Sequence, residues 1–306
     1  MKYLLTGATG FLGQVFKEEL SAAYPLLTLG RSRRHDICAD LSASPPPLAG
    51  SIGTVLHNAG KAHVVPRTEA EAQEFFQVNH QGTINLLKAL EQLEQPPLQF
   101  ILISTVSVYG REEGEGITES HTLAGDSPYA RSKALAEAAV QEWCEAHGLH
   151  WIILRLPLVA GPNPPGNLGA IRRAIARGRY FRIAGNDARK SMVLAEDVAR
   201  LLPRLEGKSG IFNLTDGVHP SFAEIEEAIA GALGKKMPLS LPKGLLRAAG
   251  KGGDVLNRLG LPFPITTGRL RKMTATLTFS DDKARRELGW PPRAVIPYIR
   301  NGGLEA

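Results

Sequence analysis

The chain has 306 residues, 36 Lys plus Arg against 30 Asp plus Glu, a formal net charge of +6 and a hydrophobic fraction of 43%. That balance excludes disorder as the main state, and no uninterrupted apolar run approaches the roughly 18 residues a membrane span requires. Cys38 and Cys144, with neither a CxxC nor a His/Cys cluster, exclude a disulfide framework and leave no metal site.

The first residues lead straight into a glycine turn without a leader pattern, so a cytoplasmic location is expected. Basic residues gather at Arg31, Arg33 and Arg34, at Arg172, Arg173, Arg177, Arg179 and Arg182, and at Arg285 and Arg286. Aromatics are 6% of the chain and no base-stacking or groove-reading module is recognisable, so nucleic acid is not the expected partner.

In chain order, Tyr3 to Thr6, Leu26 to Leu29, Thr54 to His57, Phe100 to Ser104 and Trp151 to Leu156 read as strands. Between them, Phe11 to Ala23, Glu71 to Gln95 and Tyr129 to His147 carry apolar residues at helical spacing. This βαβ alternation predicts an α/β fold, a doubly wound parallel sheet with helices on both faces. Leu41 to Gly53, with three consecutive prolines, is a loop. After Leu156 the pattern changes to Gly-Pro-rich segments with short helices at Ile171 to Arg177 and Phe222 to Leu233, which predicts a smaller substrate-binding region beside the sheet.

The first strand runs into Thr6-Gly7-Ala8-Thr9-Gly10-Phe11-Leu12-Gly13 and then a helix. Gly7 permits a tight turn, Gly10 lets backbone approach a pyrophosphate, Gly13 lets helix and strand pack closely, and the helix start offers free N–H donors to phosphate. In this strand-turn-helix context the pattern predicts dinucleotide binding. The second strand ends in Leu29-Gly30-Arg31-Ser32-Arg33-Arg34, without the acidic residue that commonly takes the adenosine ribose. Arg31 and Ser32 suit a 2′-phosphate, so NADP is favoured over NAD; a solvated basic turn is the plain alternative.

Tyr129 and Lys133 stand four residues apart at the start of a helix, which puts phenol and ammonium on one face. A phenol with an ordinary pKa near 10 needs a nearby positive charge to exchange protons at neutral pH, and Lys133 supplies one. Ser104 and Thr105 bring hydroxyls to the carboxyl end of the sheet, where open α/β sheets bind ligand.

With these residues the chain resembles an extended short-chain dehydrogenase/reductase of the NAD-dependent epimerase/dehydratase family. The match includes TGATGFLG at 6–13, Asp40-Leu41, His57 to Gly60, Asn79 to Thr83, STVSVYG at 104–110, YARSK at 129–133, Arg155-Leu156-Pro157, Ala195 to Ala199 and Lys283 to Trp290. The resemblance implies a Rossmann domain over 1–157 plus about 190–214, and a substrate region over about 158–189 and 215–306. It implies that Tyr129 moves the proton, Lys133 is its charge partner and ribose ligand, and Thr105 is the catalytic hydroxyl, counted back from Tyr109-Gly110. Gly7, Thr9, Gly10, Phe11, Leu12, Gly13, Asp40, Leu41, Asn58, Ala59, Gly60 and Pro157 would line the cofactor, with Asn79 bracing the adjoining helix. The dimer of the family implies a homodimer through the helices at Glu71 to Gln95 and Tyr129 to His147.

The resemblance also implies a nucleotide-sugar substrate, with Lys61 and Ser107 among the residues that bind it. Leu158 stands where sugar-nucleotide 4-epimerases carry an Asn for the diphosphate, Ala160 replaces a Tyr, and Lys190-Ser191 replaces an Arg. Asn167, the basic helix near Ile171, Arg179, Arg189 and Lys190 are the candidates to take over the diphosphate. These departures favour a 4-keto-sugar reductase over a 4-epimerase. Pro242 to Leu246 resembles the dihydroflavonol-reductase and hydroxysteroid-dehydrogenase branches, which act on apolar ketones, and a non-catalytic cofactor-binding sensor is the reading from another class.

Overall fold

The computed structural model describes residues 2–261 and 266–305. Its strands are β1 (Tyr3–Thr6), β2 (Leu26–Gly30), β3 (Ile37–Cys38), β4 (Thr54–His57), β5 (Gln99–Thr105), β6 (Gly114–Ile117), β7 (His150–Leu156), β8 (Leu158–Ala160), β9 (Arg182–Ile183), β10 (Met192–Leu194), β11 (Gly210–Asn213), β12 (Ser240–Leu241) and β13 (Leu277–Phe279). The helices are α1 (Phe11–Ser21), α2 (Glu69–Phe75), α3 (Gly82–Leu90), α4 (Pro128–Ala146), α5 (Gly166–Ala176), α6 (Ala195–Leu201), α7 (Phe222–Ala232), α8 (Lys243–Arg258), α9 (Thr267–Thr274), α10 (Asp282–Leu288) and α11 (Val295–Arg300).

Seven strands form one parallel sheet in the order β11-β7-β5-β4-β1-β2-β3. Strand order reverses between β1 and β4, so the loops leaving their carboxyl ends diverge and open a crevice there. Every residue of β1, β4 and β5 is buried, as expected for strands covered on both faces. Side chains alternate between two cores: Leu5 joins Phe16 and Leu20 of α1 and Val198 of α6, whereas Leu4 joins Leu86 of α3 and Val140 of α4. Trp290 belongs to the first of these cores and donates its indole N–H to the Thr215 carbonyl at 2.9 Å. A separate core of Leu168, Ile175, Ile225, Ile229, Val295 and Ile299 holds α5, α7 and α11 together beside the sheet.

The expected strands and helices are present, with shifted ends. Thr105 is the last residue of β5 rather than the first beyond it. The single helix expected over Glu71 to Gln95 is α2, a π-helical turn at Phe76–Gln81, and α3, which stops at Leu90. Thr83 Oγ1 bonds back to the Asn79 carbonyl at 2.6 Å, a competitor for the regular helix ladder. The short edge strand β3 carries too few residues to show a period.

Candidate active site

The crevice is built first by glycine. Gly7 has φ +70°, and a Cβ there would lie 2.8 Å from the Ala59 backbone. A Cβ on Gly13 would lie 2.8 Å from the Ala8 Cα, so α1 presses directly on the turn. Gly10 caps α1, with its N–H on the Gly7 carbonyl at 3.0 Å, and the first N–H groups of the helix lack intrahelical acceptors. This cradle fits a dinucleotide pyrophosphate, since any larger residue at either glycine would close it.

The loop after β4 is sewn to the same turn. Thr6 Oγ1 accepts the N–H groups of Asn58 (3.1 Å) and Ala59 (3.0 Å), and Asn58 Nδ2 donates to the Gly7 carbonyl at 3.3 Å. Thr6 Oγ1 and His57 Nδ1 are 2.8 Å apart, and His57 Nε2 lies 3.0 Å from Thr83 Oγ1, whose proton goes to Asn79. His57 therefore donates from Nε2 and accepts at Nδ1, and burial pushes its pKa down to about 3, which keeps it neutral. Asn79 binds both edges of the loop: Oδ1 accepts the Lys61 N–H at 2.7 Å, and Nδ2 donates to the Lys61 carbonyl (3.1 Å) and to Ser132 Oγ on α4 (2.9 Å).

At the adenosine end, Arg31 and Ser32 are exposed in the turn after β2. Asp40 accepts from the Ser42 hydroxyl (2.7 Å) and N–H (3.0 Å), which holds its carboxyl below the usual range, with the Arg31 charge adding to the effect. Asp36 receives the Thr28 N–H and hydroxyl, each at 2.8 Å, so this carboxylate braces β2. Leu41 is buried beside Gly82. Thr9 is exposed, Leu12 packs on the first core, and Phe11 lies against Gly161, which links the cradle to the second region. Pro157 joins β7 to β8.

Thr105, Tyr129 and Lys133 come together at the end of β5. Ser127 caps α4 by accepting the Ala130 N–H at 3.1 Å, with Pro128 in the first helical position, so Tyr129 enters on the first turn and Lys133 follows one turn later. The Lys133 ammonium donates to the Ile103 carbonyl at 2.7 Å. Burial lowers Lys133 to about 8, opposed by Glu137. Burial raises the Tyr129 phenol, opposed by a hydrogen bond with Thr105. The sequence points to Lys133 as the group that acts on the phenol; the Thr105 hydrogen bond is a second such influence, which spacing alone does not show. The Tyr129 ring meets Phe75 edge-on at 6.1 Å.

Beneath the triad lies a polar network that the sequence does not announce. Glu137 accepts the Ser104 hydroxyl and the Arg155 guanidinium, Arg155 also donates to the Tyr109 hydroxyl at 3.0 Å, and Tyr109 donates to Asn213 at 2.8 Å. Glu137 stands one turn beyond Lys133, and that four-residue spacing is the signal that points to it.

The expected substrate residues divide into two groups. Ser107 adjoins the triad, with its N–H on Thr105 Oγ1 and its own oxygen accepting from Thr105, both at 3.1 Å. Lys61 pairs with Glu74 and lies 5.3 Å above the Phe75 ring, next to Tyr129. Asn167 is exposed in the first turn of α5, where Gly166 abuts His63 of the β4 loop. Arg179 is exposed beyond α5, Arg189 donates to the His219 carbonyl at 3.0 Å, and Lys190 donates to the carbonyls of Lys272 (2.9 Å) and Ala275 (2.7 Å). Lys190 thus ties down the end of α9. Arg182, from the same basic cluster, is neutralised by Glu226 (3.0 Å) and Glu227 (3.2 Å), partners too distant in sequence to be read there.

The chain is 26% identical to the N-acetyl-alpha-D-glucosaminyl-diphospho-ditrans,octacis-undecaprenol 4-epimerase of Escherichia coli O157:H7, over 99% of this chain and 92% of that one. Its fold is similar to the Thermus thermophilus UDP-glucose 4-epimerase in complex with NAD (TM-score 0.71, 23% identity, covering 98% and 97% of the two chains). It is also similar to RMD from Pseudomonas aeruginosa complexed with NADPH (TM-score 0.70, 22% identity, 98% and 97% covered). These likenesses agree with the seven-stranded parallel sheet and its flanking helices. Residues 3–210 match the NAD dependent epimerase/dehydratase family, and the chain is an enzyme of that family.

Proposed function

We propose that the chain is an NADP(H)-dependent reductase of a 4-keto sugar carried on a diphosphate, with a nucleotide sugar as the first substrate class. The observation that carries this reading is the grouping of Thr105, Tyr129 and Lys133 at the end of β5, beside the Gly7–Gly13 cradle, with Leu158 in place of a diphosphate-binding amide. Leu158 lies in β8 and packs on the core of the second region, so it offers the diphosphate nothing. Arg31 and Ser32, exposed after β2 with Asp36 engaged by Thr28, support the choice of NADP(H).

Bound nicotinamide supplies the hydride. The Gly7 turn and the start of α1 hold the pyrophosphate, and Asn58 and Asn79 keep the neighbouring loop in place. Thr105 hydrogen-bonds the substrate carbonyl oxygen, and Tyr129 donates its phenolic proton to that oxygen as charge develops on it. A phenol raised by burial is protonated at neutral pH, which suits a donor and hence the direction of reduction. Lys133, one helical turn after Tyr129, supplies positive charge that favours the phenolate left once the proton has gone.

Relatives named as 4-epimerases support a second reading, in which the sugar is oxidised and re-reduced without net cofactor use. The name of the Escherichia coli relative extends the carrier to a polyprenol diphosphate. Turnover of UDP-, dTDP- and GDP-sugars and their 4-keto forms with NADPH and NADH separates the readings. Stoichiometric NADPH consumption by a 4-keto sugar supports the reductase, whereas interconversion of two sugars without net consumption replaces it with the epimerase. A homodimer through α2, α3 and α4 belongs to the same proposal, and a monomer by light scattering at micromolar concentration removes it.

A further inference from the structure

The net charge of the chain resides in one segment. Residues 235–272 contain nine Lys or Arg (Lys235, Lys236, Lys243, Arg247, Lys251, Arg258, Arg269, Arg271 and Lys272) and one acid, Asp254, so they carry +8 while the rest of the chain sums to −2. The acid is engaged within the segment: Asp254 holds the start of α9 through the hydroxyl and N–H of Thr267. Arg271 and Lys272 of α9 face Glu112 and Glu113 at 3.7–3.9 Å. Lys243, Arg247 and Lys251 of α8 are exposed, and their four-residue spacing makes one stripe.

Beside that stripe runs an apolar one. Leu245 (58% exposed), Val255 (54%) and Leu259 (70%) project to solvent from α8 and its C-cap, at spacings that place them on one side of the helix. Leu261 follows, and Leu239 at β12 faces water at 73% exposure. The remaining side of α8 is the packed one: Leu246 is buried, and Gly250 lies so close to α9 that a Cβ would come within 2.9 Å of Leu270. The helix is therefore anchored along one edge, basic along a second and apolar along a third. An interfacial helix has this layout, with apolar side chains at the acyl boundary and cations among anionic headgroups. Among the described residues no helix is long and apolar enough to cross a membrane, so the contact is peripheral.

We propose that α8, with the segments flanking it, docks this enzyme on an anionic membrane surface. Charge complementarity selects that occupant. A second copy docked through the same stripe would set Lys243, Arg247 and Lys251 against like charges, and a nucleic acid would leave the leucine stripe in water. Docking stands independently of the reaction assigned to the Tyr129 site.

The test is co-sedimentation of the full chain with vesicles of phosphatidylcholine alone and of phosphatidylcholine mixed with phosphatidylglycerol, with NADPH affinity measured in parallel. The protein is expected to pellet with the anionic vesicles and stay in the supernatant with the neutral ones, and added salt should weaken the binding by roughly tenfold or more. Both L245E/V255E/L259E and K243E/R247E/K251E should lose binding by roughly tenfold or more while keeping wild-type NADPH affinity. Absence of pelleting with anionic vesicles, or pelleting that both variants retain, overturns the proposal. So does a wild-type oligomer that the leucine variant converts to monomer without vesicle binding in either, since the stripe is then covered by a second copy. Failure of the catalytic reading leaves the vesicle result unchanged.

Discussion

The carboxylate of Glu137 receives the guanidinium of Arg155 at 2.6 Å with side-chain exposures of only 4% and 3%, one helical turn beyond Lys133. Burial works against the Arg155 charge, and the Glu137 bond and charge outweigh it, so Arg155 keeps its charge beneath the candidate site. Removing one partner leaves the other charged in a dry site. Glu137→Gln should cost about 3–5 kcal/mol and lower Tm by roughly 10 °C. The double variant Glu137→Met, Arg155→Met should cost less than the two single changes summed, as measured by denaturant unfolding; additive losses would show that the pair is uncoupled.

The Lys133 charge depends on the same carboxylate. Its pKa is lowered to about 8, so the ammonium form dominates below pH 8 and is lost above it. kcat/KM should therefore decline as pH rises through about 8. Glu137 raises the Lys133 pKa, so Glu137→Gln should move that limb to lower pH. An unchanged limb in a folded variant would separate Lys133 from the profile.

Tyr129→Phe removes the donor and keeps the ring that meets Phe75 at 6.1 Å. Turnover should fall by about 10²–10⁴ with little change in NADPH affinity. Thr105→Ser should keep most of the activity, whereas Thr105→Val should lose much of it, because the acceptor for the Ser107 N–H and the partner of the phenol go together. Equal activity of the serine and valine variants would end the assignment of the Thr105 hydroxyl.

Two glycines with similar φ separate backbone strain from close approach. Gly148 has φ +66° and open space around it, so Gly148→Ala should cost about 1 kcal/mol of stability and leave cofactor affinity intact. Gly7→Ala adds a collision with the Ala59 backbone at 2.8 Å and should also weaken NADPH binding by roughly tenfold or more. Isothermal titration with both variants distinguishes the two effects.

His57 makes the fold acid-sensitive. Its folded pKa is depressed to about 3 from an ordinary 6.5, so between these values the unfolded chain binds a proton that the folded chain refuses. The stabilisation is complete above pH 6.5 and falls with pH by up to about 1.4 kcal/mol per unit through that window. Unfolding free energies at pH 7 and 5.5 should differ accordingly in the wild type, and His57→Gln should flatten that difference. An equally steep variant would assign the sensitivity elsewhere.

The cradle was legible in the sequence because Gly7, Gly10 and Gly13 answer to demands within eight residues of chain. Tyr129 and Lys133 were legible because four-residue spacing on a helix fixes a shared face. Partnerships set by topology were not. Tyr109 meets Asn213 across 104 residues, Arg182 finds Glu226 across 44, and Lys190 reaches carbonyls 82 and 85 residues away. A basic cluster reads as free cations until the fold supplies the acids and carbonyls that occupy it. The reverse holds for α8, whose basic stripe stays exposed and whose significance lies in what surrounds it.

The π-helical turn at Phe76–Gln81 has a bearing on how this sequence can drift. Such a turn accommodates one residue more than regular α geometry, and Asn79 sits inside it with its amide bridging the Lys61 backbone and Ser132. Loss of a single residue before Asn79 in that stretch would let the helix relax and swing the amide by about 100° around the axis. The number of residues between Phe76 and Gln81 is therefore not open to change, because the register of α4 against the loop after β4 is written in it.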